Sequence, residues 1–281
     1  MRPKVGHIQF LNCLPLYYGL VKSLAFLDIE LVKGTPTELN ALLINKSLDV
    51  SPISSIEYAR HADSLLLLPD FTVSSDGEVK SILFLSRFPA EELSGKSVAL
   101  ADTSSTSHAL LKIILRRGYK VDPRYVVMPP DLDVMLSSAD AALLIGDSAL
   151  RHYTNARGYY LYDLGAEWKK LTGKAMVYAV WAVNRSFAEA KADLCADVYE
   201  TFRKSMRYSM RNLPEIVKYA AKWEPFDAAF LSAYFASLRF SFGRRYREGL
   251  RLFYRMARDI GELDRIPELE FVDLKVHRTK V

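Results

Sequence analysis

The hydrophobic and polar positions along the first half of the chain repeat one pattern three times. A short apolar run ends in small polar residues, and a helical pattern then begins. The three runs end at Asn12, at Ser54-Ser55 and at residues 102–107. Helix amino termini present free N–H groups and the positive end of the helix dipole, and ligands of open α/β sheets lie beyond the carboxyl ends of the strands. The pattern therefore predicts a small carboxylate ligand that is held by neutral donors.

Strand and helix patterns alternate along the amino-terminal part of the chain, as is typical of parallel strands joined by helical crossovers. The segment Thr35-Pro36-Thr37-Glu38 predicts a capping box at the start of one of these helices, with proline at the first helical position. Long apolar strands are predicted at residues 79–86 and 176–183, on either side of a second alternating unit. The pattern after the second long strand is almost wholly helical.

Two long strands around a middle α/β unit predict two lobes joined by two crossings. We expect the hinges near residues 81–86 and 177–183. Residues 1–87 and 175–281 then form the first lobe, which includes the carboxyl-terminal helices, and residues 88–174 form the second lobe. The predicted fold class is therefore α/β, with a ligand cleft between two lobes.

The composition is that of a globular protein, because 50% of the 281 residues are hydrophobic and 25% are charged. This length suits two domains or one large domain. The longest apolar stretches are too short to span a bilayer, and polar residues interrupt the apolar start of the chain, so we expect neither a membrane span nor a secretory signal. The two cysteines, Cys13 and Cys195, lie far apart, so we expect reduced thiols in a cytoplasmic protein.

The net charge is +5, and the excess lies late in the chain, where arginines alternate with aromatic residues. A basic, aromatic surface is typical of nucleic-acid binding. The alternative is an amphipathic helix that leaves the arginines on its solvent face, because Tyr246, Leu250, Phe253, Ala257 and Ile260 recur at helical spacing. No nucleic-acid motif accompanies the charge, so we expect the amphipathic helix and no nucleic-acid partner.

Motifs for nucleotide cofactors, for the nucleophilic serine of hydrolases and for zinc are absent. The sequence has no GxGxxG, no GxxxxGKS/T, no GxSxG and no HExxH segment. The five histidines also lack the spacing of metal ligands. We therefore expect no cofactor and no metal.

A series of segments is specific in combination, although each segment is weak alone. The first is Val5-Gly6-His7-Ile8-Gln9-Phe10-Leu11-Asn12-Cys13-Leu14-Pro15-Leu16-Tyr17-Tyr18, and the others lie at residues 34–40, 49–58, 75–81, 142–149, 162–168 and 179–182. The series resembles the chorismate dehydratase family of the futalosine route to menaquinone. The resemblance implies a two-lobed, periplasmic-binding-protein-like fold of the second type, with a cleft for chorismate between the lobes.

The reaction that the resemblance implies is loss of water from chorismate, a dicarboxylate, to give 3-(1-carboxyvinyloxy)benzoate. The hydrogen that leaves is acidic through the ring diene and the ring carboxylate. It lies on the same face as the departing hydroxyl, and this geometry favours a stepwise elimination. A stepwise route requires donors that stabilise charge on the ring carboxylate and assistance to a poor leaving group.

The polar junctions supply the candidate site residues. Asn12 and Asp147 are the candidate catalytic groups, although Asn12 could instead cap the helix that follows it. The proton acceptor stays open between Asp147, another residue and the enolpyruvyl carboxylate of the substrate itself. The candidate substrate-binding residues are Ser54, Ser55, Ser81, Thr103, Ser105, Thr106 and Gly146.

Three alternative functions share these patterns in part. A non-catalytic solute-binding protein for a small carboxylate has the same fold, and a fold alone does not determine function. The related 1,4-dihydroxy-6-naphthoate synthase differs in the opening motif Phe10-Leu11-Asn12-Cys13-Leu14-Pro15. A ligand-sensing domain of a regulator is disfavoured because no helix-turn-helix pattern accompanies the lobes. No pattern indicates the oligomeric state.

Overall fold

In a computed structural model that describes residues 2–22, 29–156 and 158–274, the alternation of strands and helices is confirmed. The strands in this part of the chain fall into two sheets. In chain order they are β1 (Lys4–Ile8), β2 (Glu30–Gly34), β3 (Val50–Ser54), β4 (Leu65–Ser75), β5 (Ile82–Ser86), β6 (Ser97–Ala101), β7 (Arg124–Met128), β8 (Ala141–Ile145), β9 (Tyr160–Asp163), β10 (Met176–Asn184) and β11 (Leu238–Arg239).

The helices cover the faces of the sheets and end in a helical tail. A 3-10 turn at Leu11–Cys13 precedes α1, and a π-helical segment at Ile114–Tyr119 continues α4. The helices are α1 (Leu14–Lys22), α2 (Pro36–Ile44), α3 (Ser55–Arg60), α4 (Ser105–Ile113), α5 (Leu132–Ser138), α6 (Gly146–Tyr153), α7 (Leu164–Thr172), α8 (Arg185–Ala190), α9 (Ala192–Arg211), α10 (Leu213–Ala220), α11 (Ala228–Ser237) and α12 (Arg244–Asp259).

Both sheets are mixed. The first sheet has the order β11-β4-β10-β3-β1-β2, in which β1 runs parallel to β2 and β3 while β10 runs antiparallel to β3 and β4. The second sheet has the order β7-β6-β8-β5-β9, with β6 parallel to its two neighbours and β5 antiparallel to its own. Strands β3, β5 and β8 are buried along their whole length, and the sequences of β5 and β8 are the nearly continuous apolar runs that such burial favours.

The capping box at the start of α2 is confirmed. The Thr35 hydroxyl accepts a hydrogen bond from the Glu38 amide, and the Glu38 carboxylate accepts one from the Thr35 amide at 2.8 Å. Pro36 takes the first helical position, where its missing N–H costs no hydrogen bond. The sequence therefore determines where this helix begins, directly after β2.

The sheets correct the expected boundary at residue 87. Strand β5 pairs with β8 and β9 in the second sheet, so the chain leaves the first sheet between Ser75 and Ile82. It returns between Thr172 and Met176, and all of β10 belongs to the first sheet. The residue bounds of the two lobes stay a prediction, with the first crossing moved to residues 76–81.

One buried carboxylate holds the first crossing in place. Asp163 accepts hydrogen bonds from the amides of Val79 and Lys80, at 3.0 and 2.6 Å, and it also accepts those of Gly165 and Ala166 at the start of α7. Gly165 is required at this point, because a Cβ there would lie 2.3 Å from the carbonyl oxygen of Gly77. The crossing is therefore clamped to the second sheet.

The two sheets share part of one hydrophobic core. Leu110 and Leu111 of α4 are fully buried and belong to the same cluster as Val5 and Ile53 of the first sheet. A smaller separate cluster lies under the other face of the second sheet, around Leu83 and its neighbours. The lobes are thus packed against each other in this structure.

The amphipathic interpretation of the basic tail is confirmed. In α12 the side chains of Tyr246, Leu250 and Phe253 are buried, whereas Arg251 and Arg255 are exposed. The arginines therefore lie on the solvent face of a helix that packs on the core. Within the described ranges, no helix has both the length and the apolar character that a membrane span needs.

Candidate active site

A small cavity lies between the two sheets, at the ends of strands from both. Its volume is about 60 Å³, which is room for only a few water molecules. The first sheet contributes the end of β1, with residues of β3, β4 and β10, and the second contributes the starts of β5 and α6. The lining residues are Ile8, Phe10, Asn12, Cys13, Pro36, Pro52, Ser54, Val73, Ser81, Ile82, Ser104, Ile145, Gly146, Tyr178 and Ala179.

Three helices begin at this cavity. Pro36 is the first residue of α2, Ser104 is the N-cap of α4, and Gly146 is the first residue of α6. All three line the cavity, so the positive ends of three helix dipoles converge on it. Among the described residues no side chain caps α6, and beyond the Gly146 amide, which is already bonded, the amides of its first turn are open to an anion.

Asn12 lies in the 3-10 turn between β1 and α1 and lines the cavity. Its Oδ1 atom is buried and has no hydrogen-bond partner in the described part of the chain. A capping asparagine would accept a hydrogen bond from a helix amide through this oxygen. An unpartnered acceptor is costly to bury, so the geometry favours contact with a ligand group that donates a hydrogen bond, such as a hydroxyl.

Ser54 and Ser81 face the cavity from the two lobes. Asn40 holds Ser54 at the end of β3, since its Oδ1 accepts from the Ser54 amide at 3.3 Å and its Nδ2 donates to the Ser54 hydroxyl at 3.4 Å. The Ser81 hydroxyl makes only a long contact of 3.4 Å with the carbonyl of Val79. Both serines are buried, and Ser81 keeps most of its hydrogen-bonding capacity for a ligand.

Gly146 is placed by close packing. Its φ of +61° is in the left-handed region, and an added Cβ would lie 3.0 Å from the ring of Phe10. Its amide donates to the carbonyl of Ser81 at 2.8 Å, which joins the start of α6 to the crossing. A glycine at this position therefore lets Phe10 and α6 approach each other at the cavity.

Ser55 and Thr106 do not reach the cavity. The Ser55 hydroxyl donates to the carbonyl of Val177 at 2.8 Å and contacts the Thr106 hydroxyl at 3.3 Å. Thr106 in turn accepts from the amide of Ile56 at 3.3 Å. Both hydroxyls are used in a contact between the two lobes, and this pairing leaves them no free capacity for a substrate in this arrangement.

The hydroxyl-bearing residues at the start of α4 do not take the roles that the sequence predicts for them. Ser104, which was not among the candidate residues, lines the cavity and caps the helix by accepting from the Ser107 amide at 3.5 Å. Ser105 and Thr103 do not line the cavity, although the Thr103 hydroxyl is buried and has no partner within the described ranges. The phase of the helix turns the later hydroxyls of the run away from the cavity.

Asp147 lies one residue beyond the cavity wall. Its Oδ1 accepts a hydrogen bond from the Leu11 amide at 3.1 Å, so it links α6 to the turn that carries Asn12. Burial raises the pKa of Asp147 to about 6, although the hydrogen bond from Leu11 opposes this shift. The carboxylate is thus close to the cavity without lining it, and its hydrogen bond from the Leu11 amide supports the structure of the turn.

The raised pKa predicts a pH dependence that depends on Asp147. A carboxyl group whose pKa is higher in the folded state binds its proton more tightly in that state. The folded protein therefore becomes less stable as pH rises from about 4 to about 6 and this proton is lost. Asp147→Asn keeps an oxygen for the Leu11 amide but does not ionise. We expect the Tm of this variant to rise relative to that of the parent between pH 4 and 7, as scanning calorimetry can measure. A constant Tm difference across this range would contradict the prediction.

Besides Ser104, three residues at the site were not among the candidates from the sequence. Cys13 and Tyr178 line the cavity, and burial raises the pKa of the Cys13 thiol to about 12 and that of Tyr178 well above its usual value. Tyr234, on α11, is fully buried beside Ser81, and its hydroxyl lacks hydrogen-bond geometry to any described residue. Cys13 stands next to Asn12 and Tyr178 lies in a predicted strand, but nothing in the sequence of the helical tail connects Tyr234 with the site.

The cavity wall is largely apolar, with a few polar groups, and within the described part of the chain it carries no charged side chain. None of its lining residues is a lysine, arginine, histidine, aspartate or glutamate. Among the residues that the structure describes, no group of three potential ligands is arranged to hold a metal ion. The wall can therefore bind an anion through amide, hydroxyl and carboxamide donors.

Comparison with known proteins identifies relatives of the chain. A family profile described as menaquinone biosynthesis matches residues 3–259. The chain is also similar to a protein of Thermus thermophilus named chorismate dehydratase, with 31% identity over 272 residues that cover 90% of this chain and 94% of the relative.

Solved structures are similar in fold at low sequence identity. A Candida albicans gene product, described as having the generic periplasmic binding protein fold, matches with a TM-score of 0.69 and 12% identity, covering 96% of this chain and 93% of the other. The alkanesulfonate-binding protein of Xanthomonas axonopodis, solved with MOPS bound, matches with a TM-score of 0.69 and 18% identity, covering 96% of each chain. These likenesses confirm the predicted two-lobed α/β fold.

Proposed function

The chain belongs to the menaquinone biosynthesis family, and on that premise we propose that it is a chorismate dehydratase, a carbon–oxygen lyase. It eliminates water from chorismate to give 3-(1-carboxyvinyloxy)benzoate. The observation that carries the proposal is the 31% identity, over 90% of the chain, to a protein that is named for this activity. The uncharged cavity between the lobes suits the reaction, because its few neutral donors can stabilise negative charge without a cofactor of its own.

The cavity offers neutral donors for the two carboxylates of the substrate. The first turns of α4 and α6 point their amides toward it, and Ser54, Ser81 and Asn12 add side-chain groups. In the first step the C–H bond beside the ether oxygen breaks, and its electron pair moves through the diene to the ring carboxylate. Donors that meet this growing charge lower the barrier more than they tighten substrate binding.

The substrate's own enolpyruvyl carboxylate is the proposed proton acceptor. Asp147 does not line the cavity, and the thiol of Cys13 and the hydroxyl of Tyr178 stay protonated because burial raises the pKa of both groups. The electron pair then returns to expel the neighbouring hydroxyl group. That group leaves with the transferred proton as water, and the ring becomes aromatic. Asp147 is assigned to positioning the turn of Asn12 through the Leu11 amide.

Substrate entry requires the lobes to separate. Chorismate has many more atoms than a cavity of about 60 Å³ can hold. Hydrogen bonds between the lobes, such as Thr37 to the carbonyl of Asp102 at 2.9 Å and the Ser55–Thr106 pair, must then break and re-form in each cycle. The site is closed in this arrangement, as suits chemistry that must exclude bulk water.

Cytoplasmic location is part of the proposal. Cys13 and Cys195 are both free and buried, which is typical of proteins that fold in a reducing compartment.

The direct test is incubation of the purified protein with chorismate. We expect chorismate to disappear and the enolpyruvyl benzoate to accumulate, as chromatography and mass spectrometry can follow. Folded protein that binds chorismate or another carboxylate tightly without turnover would instead establish the solute-binding alternative. Formation of 1,4-dihydroxy-6-naphthoate from its own precursor would establish the related synthase.

A cavity that binds the substrate through uncharged donors predicts that substrate binding depends only weakly on salt concentration. We expect the KM for chorismate to change by less than about threefold between 50 and 500 mM salt, since no charged side chain of the described residues lines the cavity. Ser104→Ala should weaken binding about tenfold, because a hydrogen bond to a carboxylate is lost. Ser105→Ala, one residue further, is the matched control and should bind normally. A steep salt dependence would place the anion site elsewhere.

A further inference from the structure

A second pocket lies behind one wall of the cavity. Its volume is about 480 Å³, within the range of small-molecule sites and much larger than the cavity itself. We call it the outer pocket, and it is formed by the end of β1, by α1 and by the segment from α10 to residue 224. Its lining residues are His7, Gln9, Phe10, Leu11, Leu14, Tyr17, Tyr18, Val21, Lys22, Tyr219, Ala220, Trp223 and Glu224.

The segment from His7 to Asn12 forms the wall between the outer pocket and the cavity. Along this segment His7, Gln9 and Leu11 line the outer pocket, whereas Ile8 and Asn12 line the cavity. Among the described lining residues, Phe10 is the one that both spaces share. Its side chain is half-buried and packs on Gly146, so it is the part of the wall that contacts both spaces.

Aromatic side chains dominate the outer pocket. Tyr18 and Tyr219 lie with ring centroids 5.7 Å apart, and Trp223 has 75% of its surface exposed. Grouped exposed aromatic side chains at a pocket are typical of ligand-binding grooves. Their faces form a surface on which a planar ring can stack.

The polar groups of the outer pocket favour the binding of a ligand through one carboxylate group. The Lys22 ammonium lies 5.5 Å from the centroid of the Tyr18 ring, and no described carboxylate is within ion-pair distance of it. Glu224 is the other charged residue of the lining, so the pocket carries one positive and one negative group. His7 is neutral near pH 7, because burial and the charge of Lys33 lower its pKa to about 4, and its buried Nδ1 lacks a partner in the described chain.

We propose that the outer pocket binds the product, a planar aromatic carboxylate, as it leaves the cavity. The proposal rests on the proposed function, which supplies such a molecule on the other side of Phe10. Lys22 holds one carboxylate, the aromatic side chains stack on the ring, and the second carboxylate stays in water away from Glu224. The ring of the substrate is a puckered diene, so stacking favours the product over chorismate.

Tryptophan fluorescence tests the proposal directly. The chain has three tryptophans, and Trp168 and Trp181 are fully buried, so Trp223 reports on the outer pocket. Titration with 3-(1-carboxyvinyloxy)benzoate should quench Trp223 saturably, and the quenching should be absent in Trp223→Phe. Lys22→Met should weaken this binding about tenfold, since a charge-assisted hydrogen bond is lost.

Lys96→Met is the matched control. Its ammonium also lies over an aromatic ring, 3.6 Å from the centroid of Phe88, but on the second lobe. This variant should leave the quenching unchanged. An equal loss in both lysine variants, or no quenching of the parent at saturating product, overturns the proposal.

Calorimetry and turnover separate this proposal from the proposed function. The parent should bind two product molecules per chain, one in the cavity and one in the outer pocket, and Lys22→Met should bind one at the same concentrations. Chorismate conversion is measured on the same samples. If conversion fails while Trp223 is quenched, the assigned reaction is wrong and the pocket is an aromatic carboxylate site. If conversion succeeds with a single product site and no quenching, the outer pocket has no such role.

Discussion

Replacing Asn12 by alanine is expected to lower kcat by a factor of about 100 to 1,000 with little change in Tm. Removal of one preorganised donor to a developing oxyanion typically costs this much. Asn12 lines the cavity, and its buried Oδ1 has no partner among the described residues, so the fold makes little use of the side chain. Steady-state kinetics with chorismate and a thermal melt of the same preparation give both quantities.

Two further variants test whether the effect on kcat is specific to the Asn12 side chain. Asn45→Ala removes an asparagine whose Oδ1 accepts from the Ser47 amide at 3.0 Å, so it should cost about 1 kcal/mol of stability and leave kcat unchanged. Asn12→Asp keeps the shape but adds a negative charge at the cavity, so it should raise KM for a dicarboxylate as well as lower kcat. A large fall in Tm with near-normal kcat in Asn12→Ala would mean that this side chain only supports the fold.

The junctions between strands and helices could be predicted because they depend on local chemistry. The alternation of apolar and polar positions marks where β3 ends, and the capping box fixes the start of α2 within one residue, whereas β1 ends at Ile8, three residues before the predicted end at Leu11. These signals directly predict that Asn12 and Ser54 are site residues. Both line the cavity, since the carboxyl ends of parallel strands lie at one edge of a sheet.

The roles of individual hydroxyls within a junction could not be predicted. Ser104 caps α4 and reaches the cavity, whereas Thr106, two residues later, bonds to Ser55 and Ile56 in the other lobe. The difference depends on the phase of the helix and on how the lobes close, which are tertiary properties. A sequence pattern identifies the run of hydroxyls but does not distinguish the cap from the contacts between lobes.

Local sequence patterns also could not predict what distant parts of the chain contribute to the site and to the sheets. Tyr234 reaches Ser81 from a helix that follows it by more than a hundred residues, and strand β5 joins the second sheet through pairing with β8. The long apolar sequence before Ser86 fits a buried strand of either sheet equally well. In the folded chain this strand pairs with β8 and β9, and Asp163 binds the crossing that precedes it.

Gly146→Ala is expected to lower both stability and activity. An alanine at a φ of +61° costs about 1–2 kcal/mol, and its Cβ would press on the Phe10 ring, which lies 3.0 Å away. Phe10 lines the cavity opposite Ser81, so its displacement would disturb the place of the substrate ring. We expect a Tm lower by several degrees and a kcat/KM reduced by about a factor of 100, since small misplacements in an active site have effects of this size.

Gly173→Ala separates the strain of the backbone from the contact with Phe10. Gly173 ends α7 with a φ of +68°, and an added Cβ there would meet nothing within 4 Å. Both variants should therefore lose stability through the same left-handed conformation, but only Gly146→Ala should lose activity. Equal kcat/KM values in the two variants would show that the packing of Phe10 on α6 does not shape the site. A selective loss in Gly146→Ala would show instead that this glycine is needed because the aromatic ring and the start of the helix meet at the cavity.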